Sequence, residues 1–407
     1  MAVFSGILSG SVPAMPSKSM SHRAVISAAL AHGESTVSNI LLSDDISATA
    51  KCVQALGAQV DFASDTLRIK GITGRRSQAI LHCGESGSTY RMLYPAAPLI
   101  ADKAEFILSP SLARRPMQPI MELLKSHGVD ARASSLSGRY SPGSFSIPGN
   151  ISSQFISGLI FALSMLHEES RIIPTTEIQG SGYIEMTRAC IHFFGGDTAW
   201  KDGAIIVRPA NLHGANISIP GDFTHAAMYL AAGAVYGNVT VTGLALNTLQ
   251  GDAVILDILS RMGAAVEVSD SSVSVSNGHL IGTEVDAGDT PDIIPAVAVV
   301  ACAARGETRV FNASRLRLKE SDRIAAIVSE LSRLGADIRE TEDGFIIRGG
   351  KRLCSGSCSA HNDHRIAMML SVMGGLCGGV EIDSPHCVSK SAPRFFDEFT
   401  TLGGKIK

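Results

Sequence analysis

Lys18, Ser19 and Arg23 stand together in PSKSMSHRAVISAAL, Pro16 to Leu30, directly ahead of a run of helix formers. A helix start presents free backbone N–H groups at the positive end of its dipole, so cations and hydroxyls placed there suit an anionic ligand. Lys18 supplies a point charge, Ser19 a hydroxyl, and Arg23 lies one turn further along the same face. Read alone, the segment is also what a capped helix with solvated charges looks like. The same grouping recurs, however. CGESGSTYR, residues 83 to 91, is a Gly/Ser-rich turn ending in Arg91, of the kind that lets backbone N–H groups approach an anion. ARRPMQP sets Arg114 and Arg115 against the stiff Pro116, and ISSQF places Ser152, Ser153 and Gln154 before the apolar run ISGLIFALSML.

The second half repeats the theme with carboxylates added. DTPDIIPAVAVVACAA sets Asp292 before a very apolar helix, and RLRLKESDRIAAI packs Arg315, Lys319, Glu320, Asp322 and Arg323 before another. NDHRIAMML places Asp363, His364 and Arg365 ahead of a run that should be buried, and CVSKSAP carries Lys390. Each stretch has a bland reading as a cap or a solvated charge run. Together they put basic and hydroxyl groups at helix starts in both halves, which predicts a local positive field and a ligand with several negative charges, phosphate and carboxylate among them. No GxxxxGK[ST] loop and no GxGxxG after a strand is present, so P-loop and dinucleotide chemistry are not indicated.

These groups need a frame of two domains, because 407 residues exceed what one core of roughly 250 to 300 residues holds. The composition is globular, 45% hydrophobic and 18% charged, and the net charge of −3 offers no general attraction to nucleic acid or to an anionic membrane. MAVFSGILSG lacks the basic region of a signal peptide, and the longest apolar stretch, Ile293 to Ala304, is short of the roughly 20 residues of a membrane helix, so a soluble cytoplasmic protein is expected. Eight cysteines without paired CxxC spacing read as reduced thiols, mostly core.

One phrase organises the chain: ALGAQVDF, SHGVDARA, FFGGDTAW, RMGAAVEV, RLGADIRE and TLGGKIK. Its glycines, Gly57, Gly128, Gly195, Gly263, Gly335 and Gly403, each follow a helical pattern and precede an alternating one. A helix that ends at a C-cap glycine and feeds a strand explains both halves. Six such α/β units predict two domains of three units, with a boundary near Ile219 to Gly221.

At PSKSMSHRA, CGESGSTYR, ARRPMQP, SSQF, PGDFTHAAMYLAA, LQGD, PDIIP, LKESDR, NDHRIAM and Lys390, in that order, the chain resembles the 5-enolpyruvylshikimate-3-phosphate synthase family nearly end to end. The resemblance implies an α/β fold of two inside-out barrel domains, each of three βαβαββ repeats. Residues 13–219 would form the first domain, and residues 1–12 with 220–407 the second, the active site lying in the cleft between them. It implies transfer of the carboxyvinyl group of phosphoenolpyruvate to the 5-hydroxyl of shikimate 3-phosphate with release of phosphate, without metal or organic cofactor, by a monomer.

Carried over by position, Lys18, Gly87, Arg115, Gln154, Arg323, Arg365 and Lys390 would hold phosphoenolpyruvate. Lys18, Ser19, Arg23, Ser152, Ser153, Gln154, Asp292 and Lys319 would hold shikimate 3-phosphate, with Tyr183 packing near its ring. Asp292 is expected as base, Glu320 as acid, and Lys18 as a partner in proton traffic. The chain departs from the common pattern GNAGTAMRP at GESGSTYRM, with Glu85 in place of asparagine, which leaves the response to glyphosate open; Gly180 and Ser181 replace a Ser-Lys pair, and Arg315 replaces an asparagine. Two rivals are a UDP-N-acetylglucosamine enolpyruvyl transferase, whose usual reactive cysteine is missing from PSLARRP, and a non-catalytic binder of a phosphorylated metabolite.

Overall fold

The computed structural model describes all 407 residues and forms two compact units, Lys18–Ile219 and Met1–Ser17 with Pro220–Lys407. The N-terminal segment stays with the second unit beyond Val12. Its strand Gly10–Pro13 runs parallel to Asn238–Thr242, pairing Pro13 with Thr242, and the Ser17 N–H donates to the Pro220 carbonyl at 2.8 Å.

Six four-stranded sheets account for all the strands, and all six share one plan: a parallel pair, then two antiparallel neighbours. In the sheet led by Arg76–Gly84 the second strand is Ala101–Leu108, followed by Ser135–Ser137 and the edge strand Asp130–Arg132. The repeat glycines explain why the plan recurs. Gly57, Gly128, Gly195, Gly263, Gly335 and Gly403 all have φ between +85° and +113°, a region costly for residues with a Cβ. Each ends a helix with the same pair of hydrogen bonds: the Gly128 N–H donates to the Lys125 carbonyl, and the Val129 N–H donates to the Leu124 carbonyl, with equivalent pairs at the other five. The chain then enters an edge strand.

Inside each unit, three helices are buried and pack on one another: Lys18–Leu30, Gly87–Leu93 and Ser153–Leu163 in the first, and Phe223–Tyr236, Ile294–Ala303 and His364–Cys377 in the second. Ser153–Leu163, Phe223–Tyr236 and Ile294–Ala303 are apolar nearly all round, as suits helices enclosed by sheets, whereas Lys18–Leu30 and Gly87–Leu93 also bury His22, Arg23 and Arg91. Amphipathic helices such as Arg323–Arg333, which buries Ile324, Ile327 and Leu331, lie outside them. All eight cysteines are free thiols, and Cys354 alone is exposed. No helix is long and apolar enough to cross a membrane.

In the second unit the helix Phe395–Thr401 docks on Phe223–Tyr236. Tyr229 donates to Glu398 at 2.9 Å, its ring stacks on Phe395 at 5.8 Å, and His225 lies 3.7 Å from the same carboxylate. Burial pushes Glu398 up to about 7 and His225 down to about 3. Between the carboxylate's ordinary value near 4.5 and 7, the folded chain keeps a proton that the unfolded chain has released. Stability from this group therefore falls as pH rises through that window. Glu398→Gln stays neutral, so its stability relative to wild type should rise by about 2–3 kcal/mol between pH 5 and pH 8. Urea unfolding at the two pH values measures it; a constant difference would contradict the buried-carboxylate account.

Candidate active site

In both units several chemistry-bearing side chains sit at helix starts, among them Lys18, Gln154, Arg323 and Arg365, while Arg115 lies between Pro110–Ala113 and Gln118–Ser126 and Lys390 ends the short turn Pro385–Lys390. In the first, the Lys18 Nζ donates to Asp45 at 2.8 Å, tying the start of Lys18–Leu30 to the start of Asp44–Leu56. Arg23, 1% exposed, is held by the protein: Nε donates to the Thr187 hydroxyl at 2.7 Å, Nη1 to the Ser19 carbonyl at 2.7 Å and Nη2 to the Tyr183 carbonyl at 2.8 Å. Its guanidinium lies 5.9 Å from the centre of the Tyr183 ring. It thus fixes the opening turns of Lys18–Leu30 and Ser181–Phe193 against each other.

Gln154 joins two further motifs. Its amide donates to the Ser88 hydroxyl at 2.9 Å, and its carbonyl oxygen accepts from Arg91 at 3.1 Å. Ser152 caps the helix Ser153–Leu163 by accepting the Gln154 N–H, and both serines are buried. Arg115 lies over Gly87: a Cβ on Gly87 would fall 2.9 Å from the Arg115 Nη1 and 4.0 Å from the Gln154 side-chain oxygen. Gly87→Ala would push that guanidinium aside. It should raise KM for an anionic substrate held by Arg115 about tenfold with little loss of kcat, since a misplaced charge-assisted bond costs on the order of 1.5 kcal/mol. Steady-state kinetics decide it, and an unchanged KM would remove Arg115 from substrate binding.

The second unit gathers its groups around one buried cation. Arg323, 1% exposed, donates from Nε to Asp363 at 2.8 Å, from Nη1 to Asp292 at 2.5 Å and from Nη2 to Glu320 at 2.6 Å. Lys319 Nζ adds a bond to Asp292 at 3.2 Å. Burial would push the Asp292 carboxyl up, but Lys319, Arg323 and Arg365 outweigh it and hold Asp292 well below the usual carboxylate range. Lys319 is lowered, by burial first and then by the neighbouring Arg323 and Arg315 cations, against the pull of Asp292. Burial also opposes the charge on Arg323, yet Asp363, Glu320 and Asp292 raise its pKa.

Asp363 is the hub behind this set. Fully buried, it accepts the Arg365 N–H that opens His364–Cys377, the Ser321 hydroxyl at 3.0 Å and two bonds from Arg323. Arg365 donates to the Thr224 carbonyl at 3.3 Å, and the Thr224 hydroxyl donates to Asp252, a carboxyl that burial, with help from Asp292, pushes up to about 7. Lys390 Nζ donates to the carbonyl of Asn362, the residue before the hub, at 2.7 Å. Of the departing positions, Glu85 accepts from Ser111 at 3.2 Å, Arg315 donates to the Gly288 carbonyl at 3.4 Å, and Ser181 opens a helix behind the left-handed Gly180.

Nothing in the linear pattern gives Asp45 or Asp363 a role, because an acidic residue at a helix start reads as an ordinary cap. Asp363 stands two residues before Arg365, and that adjacency is the signal it carries; Asp45 lies 27 positions from Lys18, and the linear sequence gives no sign of the pairing.

Two solved structures share this architecture: "EPSP synthase from Acinetobacter baumannii", TM-score 0.81 at 23% identity, covering 100% of this chain and 99% of that one, and "the enolpyruvyl transferase NikO from Streptomyces tendae", TM-score 0.80 at 16% identity, covering 100% and 98%. The fold is therefore the two-domain inside-out α/β fold of enolpyruvyl transferases. The family model of EPSP synthase (3-phosphoshikimate 1-carboxyvinyltransferase) matches residues 5–399. Proteins named 3-phosphoshikimate 1-carboxyvinyltransferase from Clostridium perfringens and Clostridioides difficile are 41% and 38% identical, over 98% and 100% of this chain and 97% and 98% of theirs. The chain belongs to the EPSP synthase family.

Proposed function

We propose that this chain transfers the enolpyruvyl group of phosphoenolpyruvate to the 5-hydroxyl of shikimate 3-phosphate, releasing phosphate. The observation that carries the chemistry is the pair of carboxylates, Asp292 and Glu320, fixed on one guanidinium beside Lys319. A reaction that both removes and delivers protons needs two such groups held apart in role.

In this reading the 5-hydroxyl adds to C2 of phosphoenolpyruvate while its proton passes to Asp292, and Glu320 protonates C3. The tetrahedral phospho-ketal then loses phosphate, which leaves with the proton held on Asp292, while the methyl carbon returns its proton to Glu320, so both carboxyl groups are restored and the two steps balance. Lys18, Arg115, Arg323, Arg365 and Lys390 take the donor's charges, with Gly87 and Gln154 beside it. Ser19, Arg23, Ser152, Ser153 and Lys319 take the acceptor, and Lys18 shares the proton traffic. Cations around the departing phosphate stabilise the charge that develops there. The substrates also tune the base. Asp292 is a weak base while Lys319, Arg323 and Arg365 hold it down. Anionic substrate groups that neutralise those cations raise its basicity when the hydroxyl is in place.

The test is phosphate release from phosphoenolpyruvate without added metal, with shikimate 3-phosphate in one reaction and UDP-N-acetylglucosamine in another. Release with the first acceptor alone is expected. Release with the second would move the chain to the rival acceptor, and none with either would leave a binder.

A further inference from the structure

We propose that His22, Thr49, Thr89 and Ser86 form a buried hydrogen-bonded lock that positions Lys18 and Gly87 for the phosphoenolpyruvate site. The inference rests on the function proposed above and adds four positioning residues to it.

The chain of bonds is short and continuous. His22 Nδ1 lies 2.7 Å from the Thr49 hydroxyl, that hydroxyl 2.6 Å from the Thr89 hydroxyl, and Thr89 2.7 Å from the Ser86 hydroxyl. None of the four side chains is more than 1% exposed. They belong to three elements: His22 to Lys18–Leu30, Thr49 to Asp44–Leu56, and Thr89 to Gly87–Leu93, which Ser86 caps by accepting the Thr89 N–H. The Asp45 carbonyl lies 3.2 and 3.4 Å from the two threonine hydroxyls and can accept from the one that does not donate to the other, while its carboxylate pairs with Lys18. The lock therefore runs beneath the Lys18–Asp45 ion pair at one end and adjoins Gly87 at the other.

The direction of the bonds follows from His22. Its Nε2 is buried without a hydrogen-bond partner. A buried N–H left unpaired is rarer than an unpaired acceptor, so the hydrogen sits on Nδ1 and donates to Thr49. Burial, with the Lys18 and Arg23 cations adding to it, lowers the imidazole pKa well below its ordinary value, which keeps the ring neutral. Each hydroxyl can then pass its hydrogen onward, toward Ser86 or the Asp45 carbonyl. Such a network acts as one unit, because breaking any link leaves buried polar groups unpaired.

Thr89→Val and Thr49→Val remove one hydroxyl each at nearly constant shape. Each should raise KM for phosphoenolpyruvate about tenfold and change kcat less than about threefold, and the double variant should do no worse than the stronger single, since the chain of bonds is already broken. Thr89→Ser should restore a KM within about twofold of wild type. Unchanged KM values in folded variants, or effects that multiply in the double variant, would overturn the lock. Should the valine variants not fold, histidine-selective NMR of the wild-type protein decides. A His22 ring, assigned by the signal missing from His22→Asn, is expected as the neutral Nδ1–H tautomer from pH 5 to 9, and an Nε2–H tautomer or a titration in that range overturns the proposal. A wild-type protein that releases no phosphate defeats the proposed reaction, an outcome distinct from either of these.

Discussion

Asp292→Asn should lower kcat for phosphate release by about a thousandfold while the protein keeps its fold. The magnitude follows from the role: a positioned general base contributes roughly 10²- to 10⁴-fold. Asparagine retains an oxygen that can accept from Arg323, now at 2.5 Å, and from Lys319, now at 3.2 Å, so packing is preserved. What is lost is the group that takes the proton and the charge that faces two cations. Lys319, already lowered by burial, loses the neighbour that pulls its pKa up and becomes easier to deprotonate. The effect should appear in kcat and kcat/KM together, the signature of an interaction made in the transition state. A variant within tenfold of wild type would remove Asp292 as the base and shift attention to Glu320.

The wild-type acid limb follows the same electrostatics. A carboxyl with a lowered folded pKa contributes stability that is present above its ordinary value near 3.8 and is lost only as pH falls through the lowered value. Ionisation of Asp292 therefore adds nothing to any change of stability between pH 5 and 8, the window in which Glu398 acts with the opposite sign.

Asp363→Ala should destabilise the second unit by about 3–5 kcal/mol, the cost of leaving a buried cation short of its partner. Arg323 would lose the fully buried carboxylate that takes its Nε and one Nη2 bond, and the helix His364–Cys377 would lose its cap. Activity should fall as well, because Asp292 and Glu320 are placed by the guanidinium that Asp363 orients. Asp363→Asn separates the contributions: it keeps an acceptor for the cap and removes the charge, so it should lie between wild type and alanine. Urea unfolding and phosphate release measure the two effects. A loss below about 1 kcal/mol would mean that Asp292 and Glu320 suffice to compensate Arg323.

The sequence by itself determined the repeat, the α/β class and the reach of the family resemblance. Those features are local: a left-handed glycine at a helix end, an apolar run, a cluster of cations at a helix start. Gly57 and its five counterparts are legible because only the residues on either side decide whether a helix can end there. Lys18 and Arg323 are legible as cations at helix starts, and Arg115 as a cation beside the stiff Pro116, but their partners are not. The tertiary structure alone decided that Arg323 gathers Asp292, 31 positions away, and Asp363, 40 positions away, and that Thr49 meets Thr89, 40 positions away. It also decided that Arg23 directs Nε, Nη1 and Nη2 to protein acceptors. The physical reason is that a buried charge or hydroxyl is tolerated only beside a partner, and which partner is near depends on how the helices pack, a property that no linear spacing carries.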